Sequence, residues 1–158
     1  MSTGEPVCRS SEPAESYPGD SATAAQLLLL AEAYRKAAKL LLDQGEHGLP
    51  LSRAPLYLTA IHAIELYMNA LLKHGGHEPS RIRSMQHRLR DRSDLAVGLR
   101  LQLRARTTNH LAAIDAAREY LVARYDPSLA GSISQLNRLT ATLDEIAGKV
   151  ARIIGTSP

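Results

Sequence analysis

Apolar residues recur at alternating steps of three and four along most of the chain, and no feature of the sequence constrains the fold more. This spacing places side chains on one face of an α-helix. It predicts five helices, over about residues 22–44, 53–74, 85–97, 101–124 and 133–154. No segment alternates with a period of two for long enough to indicate a strand. Because the predicted loops are short, we expect an all-α fold, an up-and-down bundle of four to five antiparallel helices.

Residues suited to helix ends fall between these segments. Asp20 or Ser21 is expected to cap the first helix, Ser52 the second and Ser132 the fifth. Residues 77–84 are predicted to form a polar loop. The second helix is apolar on nearly every face and is expected to be the most buried. Inward stripes are predicted for the fourth helix at Leu103, Thr107, Leu111, Ile114, Ala117 and Leu121, and for the fifth at Leu136, Leu139, Leu143, Ile146, Val150 and Ile153.

The chain has 158 residues, which suits one domain. Residues 1–20 are rich in Pro, Ser, Gly and Glu and are predicted to be a disordered tail, leaving residues 21–156 as a single helical domain. Cys8 is the only cysteine, so no disulfide can form within one chain. No targeting signal is visible, and the apolar run at residues 27–31 is too short to span a membrane. We therefore expect a cytoplasmic protein with no membrane partner.

The positive charge is concentrated in one stretch. Residues 81–106 contain eight arginines and two aspartates, while the whole chain has a net charge of only +3. Such a block can attract the phosphates of a nucleotide or an RNA, and it can equally be a solvated helix surface. The candidate nucleotide- or RNA-binding residues are Arg81, Arg83, His87, Arg88, Arg90 and Arg92.

Residues 55–125 resemble a domain of the HEPN family (higher eukaryotes and prokaryotes nucleotide-binding). The second predicted helix carries Ala-Ile-His-Ala-Ile-Glu-Leu-Tyr-Met-Asn-Ala-Leu-Leu at residues 60–72, followed by a Gly-rich turn. His87-Arg88-Leu89 stands where many members have His-Asp-Leu, and Arg124-Tyr125-Asp126-Pro127 is similar to the Arg-Tyr-Pro ending of the family's fourth helix. Asn69 replaces the usual Lys and Arg88 the usual Asp, which puts a nucleotide-binding or helix-capping role of these positions in doubt.

The resemblance implies a four- or five-helix bundle that commonly forms a homodimer. Family members include binding modules without catalysis, partners of nucleotidyltransferases, and ribonucleases of toxin–antitoxin and defence systems. The ribonucleases share an Arg-x4–6-His motif on a late helix. Arg104 and His110 match it, as do Arg81 and His87, and a chain this rich in arginine is expected to contain such pairs by chance.

An Arg and His pair suits RNA cleavage. The guanidinium can stabilise the charge of a phosphorane, and an imidazole can transfer the proton of a ribose 2′-hydroxyl. On a regular helix, however, Arg104 and His110 point about 120° apart, so a dimer cleft would have to bring the groups together. The alternative is that His110, four residues from the core position Ile114, is a packed or interface histidine.

Glu65 is expected to be buried in the second helix, where a carboxylate needs a partner. We expect it to reach Arg124, Arg118 or a tyrosine hydroxyl, and either to hold the second and fourth helices together or to face a nucleotide. Tyr125 is a further structural or ligand-facing candidate. The histidines at 74 and 77 lie in a Gly-rich turn, which does not favour a metal site. No metal and no cofactor are expected.

The sequence thus favours a non-catalytic HEPN-type helical module that binds a nucleotide, an RNA or a protein partner. One alternative is a toxin-like, metal-independent endoribonuclease that uses Arg104 and His110 and has an antitoxin partner. The other is a homodimeric helical scaffold.

Overall fold

The computed structural model describes residues 16–155, and this part of the chain is all-α, as predicted. The predicted tail over residues 1–15 and the end of the predicted domain at residue 156 lie outside the described residues. The α-helices are α1 Ala24–Leu41, α2 Ala54–His74, α3 Pro79–Ser84, α4 Leu89–Val97, α5 Ala105–Ala117, α6 Glu119–Tyr125 and α7 Leu136–Gly155, with short 3₁₀ turns at Leu42–Gln44, Pro50–Arg53 and Pro127–Leu129. Across residues 16–155 none of the helices is long and apolar enough to cross a membrane.

Helix α2 is the centre of the structure. It packs against α1, α4, α6 and α7. Thirteen of its residues are buried, which confirms that it is the most buried of the predicted helices. Its apolar side chains therefore supply much of the core, and a polar residue on α2 can reach solvent only where no neighbouring helix covers it.

The predicted caps of α1 and α2 are wrong. The N-cap of α1 is Thr23, which forms a capping box with Gln26: each side chain accepts from the other residue's amide, at 3.1 and 2.9 Å. Ser52 lies inside a 3₁₀ turn, where its hydroxyl accepts from the Glu46 amide at 2.8 Å, and α2 starts without a side-chain cap. Tertiary contacts of α2, rather than a local cap, must therefore hold its first turn.

The segment predicted as a polar loop contains helix α3, so this prediction is wrong. Pro79 occupies the first turn, where its missing amide costs nothing, and Ile82 is buried at 9% exposure. A single apolar anchor is too little to produce a visible period, yet it is enough to dock this short helix beside α2.

The fourth predicted helix is two helices, because Arg118 adopts a left-handed conformation with φ of 51°. Before the break Thr107, Leu111 and Ile114 follow the predicted stripe and are buried, but Ala117 is exposed, so the prediction for Ala117 is wrong. After the break a different set of positions faces the core. Glu119 is buried and Leu121 is exposed, which reverses the prediction for Leu121.

Helix α7 confirms the predicted stripe, since Leu139, Leu143, Ile146 and Val150 are buried. The helix begins at Leu136 rather than near residue 133. Ser132 is not its cap, because the Ser132 hydroxyl donates to the carbonyl of Leu129 at 2.8 Å.

Helix α4 receives its cap from α5. The residue at its N-cap position, Arg88, makes no side-chain capping bond. Instead the carboxylate of Asp115 accepts from the amides of Leu89 and Arg90, at 2.9 and 2.8 Å. An acidic cap therefore exists although Arg88 stands at the local capping position, and it ties α4 to α5.

Candidate functional site

A cleft of ≈ 590 Å³ lies beside α2, where this helix faces α3 and residues 17–20. One stripe of α2 forms its polar wall, with side chains at steps of three, four and four residues: His62, Glu65, Asn69 and Lys73. Because these steps keep residues on one helical face, the stripe was already visible in the sequence as the polar interruption of an apolar helix. Of these four residues only Glu65 is a site candidate from the sequence, while Asn69 is noted there as a departure from the HEPN pattern.

A buried ion pair closes the base of the cleft. Glu65 is 7% exposed and Arg92 is 2% exposed, and a guanidinium nitrogen of Arg92 lies 3.2 Å from Glu65 Oε1. Arg92 also donates from Nε to Asn69 Oδ1 at 2.7 Å and from a terminal nitrogen to the Arg88 carbonyl at 3.1 Å. Burial lowers the pKa of Arg92, and the charge of Glu65 opposes this shift.

This pair corrects two predictions. Glu65 is buried, as expected, but it binds Arg92 rather than Arg118 or Arg124. It therefore connects α2 to α4, which lies in the third predicted helix, and not to the fourth predicted helix, which contains Arg118 and Arg124. Arg92 belongs to the interior and not to a surface of arginines. The guanidinium of Arg124 lies instead over the ring of Tyr120, at 4.9 Å from the centroid, and over the exposed ring of Tyr125, at 5.3 Å.

Two imidazoles face the cleft. The ring of His87 is held by Glu65, with Nδ1 at 3.1 Å from Oε2, and it stacks on Tyr120 with 3.9 Å between centroids. The ring of His62 meets Tyr34 edge to face, with centroids 4.6 Å apart. Burial lowers the pKa of His62. The wall therefore combines flat, polarisable rings with hydrogen-bonding nitrogens.

Residues 17–20 form a turn over the open side of the cleft, which we call the N-terminal turn. The amide of Asp20 donates to the Tyr17 carbonyl at 3.0 Å. The Asp20 carbonyl accepts from Lys73 Nζ at 2.7 Å, and its carboxylate forms an ion pair with Arg83. The Arg83 guanidinium also lies 4.6 Å from the centroid of the Tyr17 ring. Tyr17 and Asp20 therefore contact the helices, although both lie inside the stretch predicted as a tail.

The arginine block does not form one surface at the cleft. Arg88 pairs with Asp91 at 3.0 Å and Arg90 pairs with Asp94 at 3.2 Å. Arg81 is exposed on α3. Only Arg83 and Arg92 of the block's arginines line the cleft, and His87 lines it between them. The positive surface that a ligand meets there is completed by Lys73, which lies outside the block.

Arg104 and His110 have separate partners. Arg104 stands at the N-cap of α5, where its amide and Nε donate to Glu145 at 2.9 and 3.1 Å. His110 is 7% exposed, and its ring nitrogens lie 2.8 Å from Thr142 Oγ1 and 2.6 Å from Ser134 Oγ. His110 is therefore packed inside the bundle, with a hydroxyl oxygen within hydrogen-bonding distance of each ring nitrogen.

The buried state of His110 predicts a pH dependence of stability. Burial lowers the pKa of His110 to about 4, and the charge of Arg138 acts in the same direction. The unfolded chain takes up a proton on this imidazole below about pH 6.5, whereas the folded chain does so only near pH 4, so the folded state should lose about 3 kcal/mol of stability between these values.

Urea unfolding at a series of pH values checks this prediction. In His110→Gln the loss of stability between pH 6.5 and pH 4 should be smaller by about 3 kcal/mol than in the wild type. His47→Gln, which changes an exposed histidine, should behave like the wild type. An unchanged slope in His110→Gln would show that this histidine is accessible to protons in the folded chain.

No family model, curated protein or solved structure matches this chain. Within residues 16–155 no group of three or more His, Cys, Asp or Glu side chains is placed to hold a metal ion.

Proposed function

We propose that this chain is a non-catalytic helical module, of the type that the HEPN resemblance implies, and that it binds a nucleotide, free or within an RNA. The cleft beside α2 is the binding site in this proposal. The observation that carries it is the convergence of Lys73, Arg83 and Arg92 on one cleft with the imidazoles of His62 and His87.

The charges and rings suit the two parts of a nucleotide. Lys73 and Arg83 stand at the open side, where a phosphate can accept charge-assisted hydrogen bonds while it stays partly hydrated. The His87 ring, supported from behind by Tyr120, offers a flat surface for a base. Arg92 is committed to Glu65 and Asn69 and serves to hold the wall in place.

A catalytic role for the same wall finds less support. Glu65 is engaged by Arg92 and by His87, so it is not placed as a free general base. His110 lies buried with both ring nitrogens engaged. These contacts favour recognition over RNA cleavage.

Binding of a labelled, short, mixed-sequence single-stranded RNA and of AMP tests the proposal. In Lys73→Gln/Arg83→Gln, affinity should fall about a hundredfold or more, because each of the two lost bonds to a phosphate is a charge-assisted one worth about 1.5–3 kcal/mol. For the RNA, the slope of log affinity against log salt should also fall by about one for each phosphate contact removed.

The matched control is Lys36→Gln/Arg106→Gln, which removes the same charge from exposed positions outside the cleft. It should bind like the wild type apart from a small general effect of charge. If both double variants lose affinity equally, the cleft is not the site. If neither the wild type nor any variant of the cleft retains RNA or AMP at low salt, the nucleotide proposal is wrong and a protein partner becomes the better account.

A further inference from the structure

The N-terminal turn, residues 17–20, places on the cleft the chemical groups that a nucleotide would bring. It presents an aromatic ring to the Arg83 guanidinium, at 4.6 Å from the ring centroid of Tyr17. It presents a carboxylate to the same guanidinium and a carbonyl oxygen to Lys73 Nζ, at 2.7 Å. One flat ring and two oxygen acceptors therefore occupy the two cations that face the open side of the cleft.

We infer that the N-terminal turn is an intramolecular competitor, which must leave Lys73 and Arg83 before a nucleotide phosphate can bind them. This inference rests on the proposed function and adds how access of the nucleotide to the site is regulated. The ligand is a nucleotide with an accessible phosphate, and the turn is the competitor that lowers its apparent affinity.

The charges explain why the turn can be exchanged for a phosphate. Arg92 is balanced by Glu65 in the interior, so its charge is not available. Within residues 16–155 Asp20 supplies the acceptors of both cations at the open side, a neutral carbonyl for Lys73 and a carboxylate for Arg83. When the turn leaves, Lys73 and Arg83 lose these acceptors, and a phosphate supplies both negative charge and several acceptor oxygens.

The contacts of the turn are weak enough to be displaced. The side chain of Arg83 is 38% exposed and that of Asp20 is 32% exposed, so water screens their attraction. The turn itself is closed by backbone hydrogen bonds from the Asp20 amide to Tyr17 and from the Ala22 amide to Gly19. Once the turn leaves the cleft, only these two bonds hold it together, so it can open without disturbing the core under α2.

The test compares Asp20→Asn and Tyr17→Ala with the wild type, in the full chain, for binding of AMP and of the labelled RNA. If the turn covers the site for about nine-tenths of the time, removing the competition raises the apparent affinity about tenfold. Such a change equals about 1.4 kcal/mol. The matched control is Asp43→Asn, which makes the same charge change at an exposed position away from the cleft.

Hydrogen exchange separates a competitor from a lid. Saturating AMP should speed exchange of the Asp20 and Ala22 amides if the turn is displaced. It should slow exchange if the turn closes over the ligand, and this result would overturn the inference.

The affinities separate failure of this inference from failure of the proposed function. Tighter binding by Asp20→Asn, but not by Asp43→Asn, supports a competitor, including the case in which only the variant binds detectably. If the wild type binds and Lys73→Gln/Arg83→Gln does not, but Asp20→Asn binds no tighter than the wild type, the competitor is disproved while the site stands. If neither the wild type nor any variant binds, both the competitor and the proposed function are disproved.

Discussion

Replacing Arg92 with methionine is expected to lower the free energy of unfolding by about 3–5 kcal/mol, because it leaves a buried carboxylate without its counter-charge. Arg92 is 2% exposed, and its guanidinium binds Glu65, Asn69 and the Arg88 carbonyl at the same time. Methionine can fill much of the space of the arginine stem, but it cannot donate to any of these oxygens. Urea unfolding followed by far-UV circular dichroism measures the loss.

Arg90→Met is the matched control for this experiment. Arg90 lies two positions away on α4 and forms an exposed pair with Asp94, so its loss should cost less than about 1 kcal/mol. A second variant, Glu65→Leu/Arg92→Met, should be more stable than Arg92→Met, since it leaves no single buried charge. Equal and small effects of Arg90→Met and Arg92→Met would contradict the buried ion pair.

The burial of Arg92 makes it unsuitable for substitution in a binding experiment. A variant that reverses the charge of Arg88, Arg90 and Arg92 together would lose binding by unfolding, because Arg92 is interior. Loss of binding would then say nothing about a surface. Substitutions at Lys73 and Arg83 avoid this problem, since neither side chain is part of the core.

Replacing Glu145 with alanine is expected to destabilise the chain by about 3 kcal/mol, because each buried group left without its partner costs about 1–3 kcal/mol. The carboxylate of Glu145 accepts from the Arg104 amide at 2.9 Å, from Arg104 Nε at 3.1 Å, from Lys149 at 2.6 Å and from the Thr107 hydroxyl. Burial acts to raise the pKa of Glu145, but the bonds from Lys149, Thr107 and Arg104 outweigh it and lower the pKa to about 2.

Asp144→Ala is the control beside it on α7. Asp144 makes an exposed pair with Arg35 at 2.8 Å, and its removal should cost less than about 1 kcal/mol. Glu145→Gln should fall between the two variants, since an amide oxygen can still accept one or two of the bonds. A loss of under about 1 kcal/mol in Glu145→Ala would show that water replaces the carboxylate at the start of α5.

The helices with a strong apolar stripe could be predicted from the sequence. In α7, Leu139, Leu143 and Ile146 follow the spacing that burial on one face requires, and they are buried. Helix α3 and the break at Arg118 could not be found in this way. Helix α3 depends on the docking of its buried residue Ile82, and the break depends on a left-handed backbone that Arg118 adopts without any sequence signal.

Only part of the candidate site could be predicted from the sequence. The polar stripe of α2 shows in the sequence as His62, Glu65, Asn69 and Lys73, at helical steps in an apolar segment. In a chain with so many arginines the burial of Arg92 is harder to recognise. A signal existed, because Arg92 follows Leu89 by three residues and precedes Ala96 by four, which places it on the face that those two buried residues define.

Helix α4 depends on Asp115, a residue of another helix, for its N-terminal cap. A nine-residue segment is too short to stay helical by itself, since isolated helices below about 12–15 residues are marginal in water. The carboxylate that satisfies its first amides lies on another helix, 25 or 26 positions further along the chain. An excised peptide with the sequence of α4 would therefore not be expected to form the helix that α4 forms in the protein. The position of Arg92 at the base of the cleft is consequently encoded non-locally, by a residue that never touches the cleft.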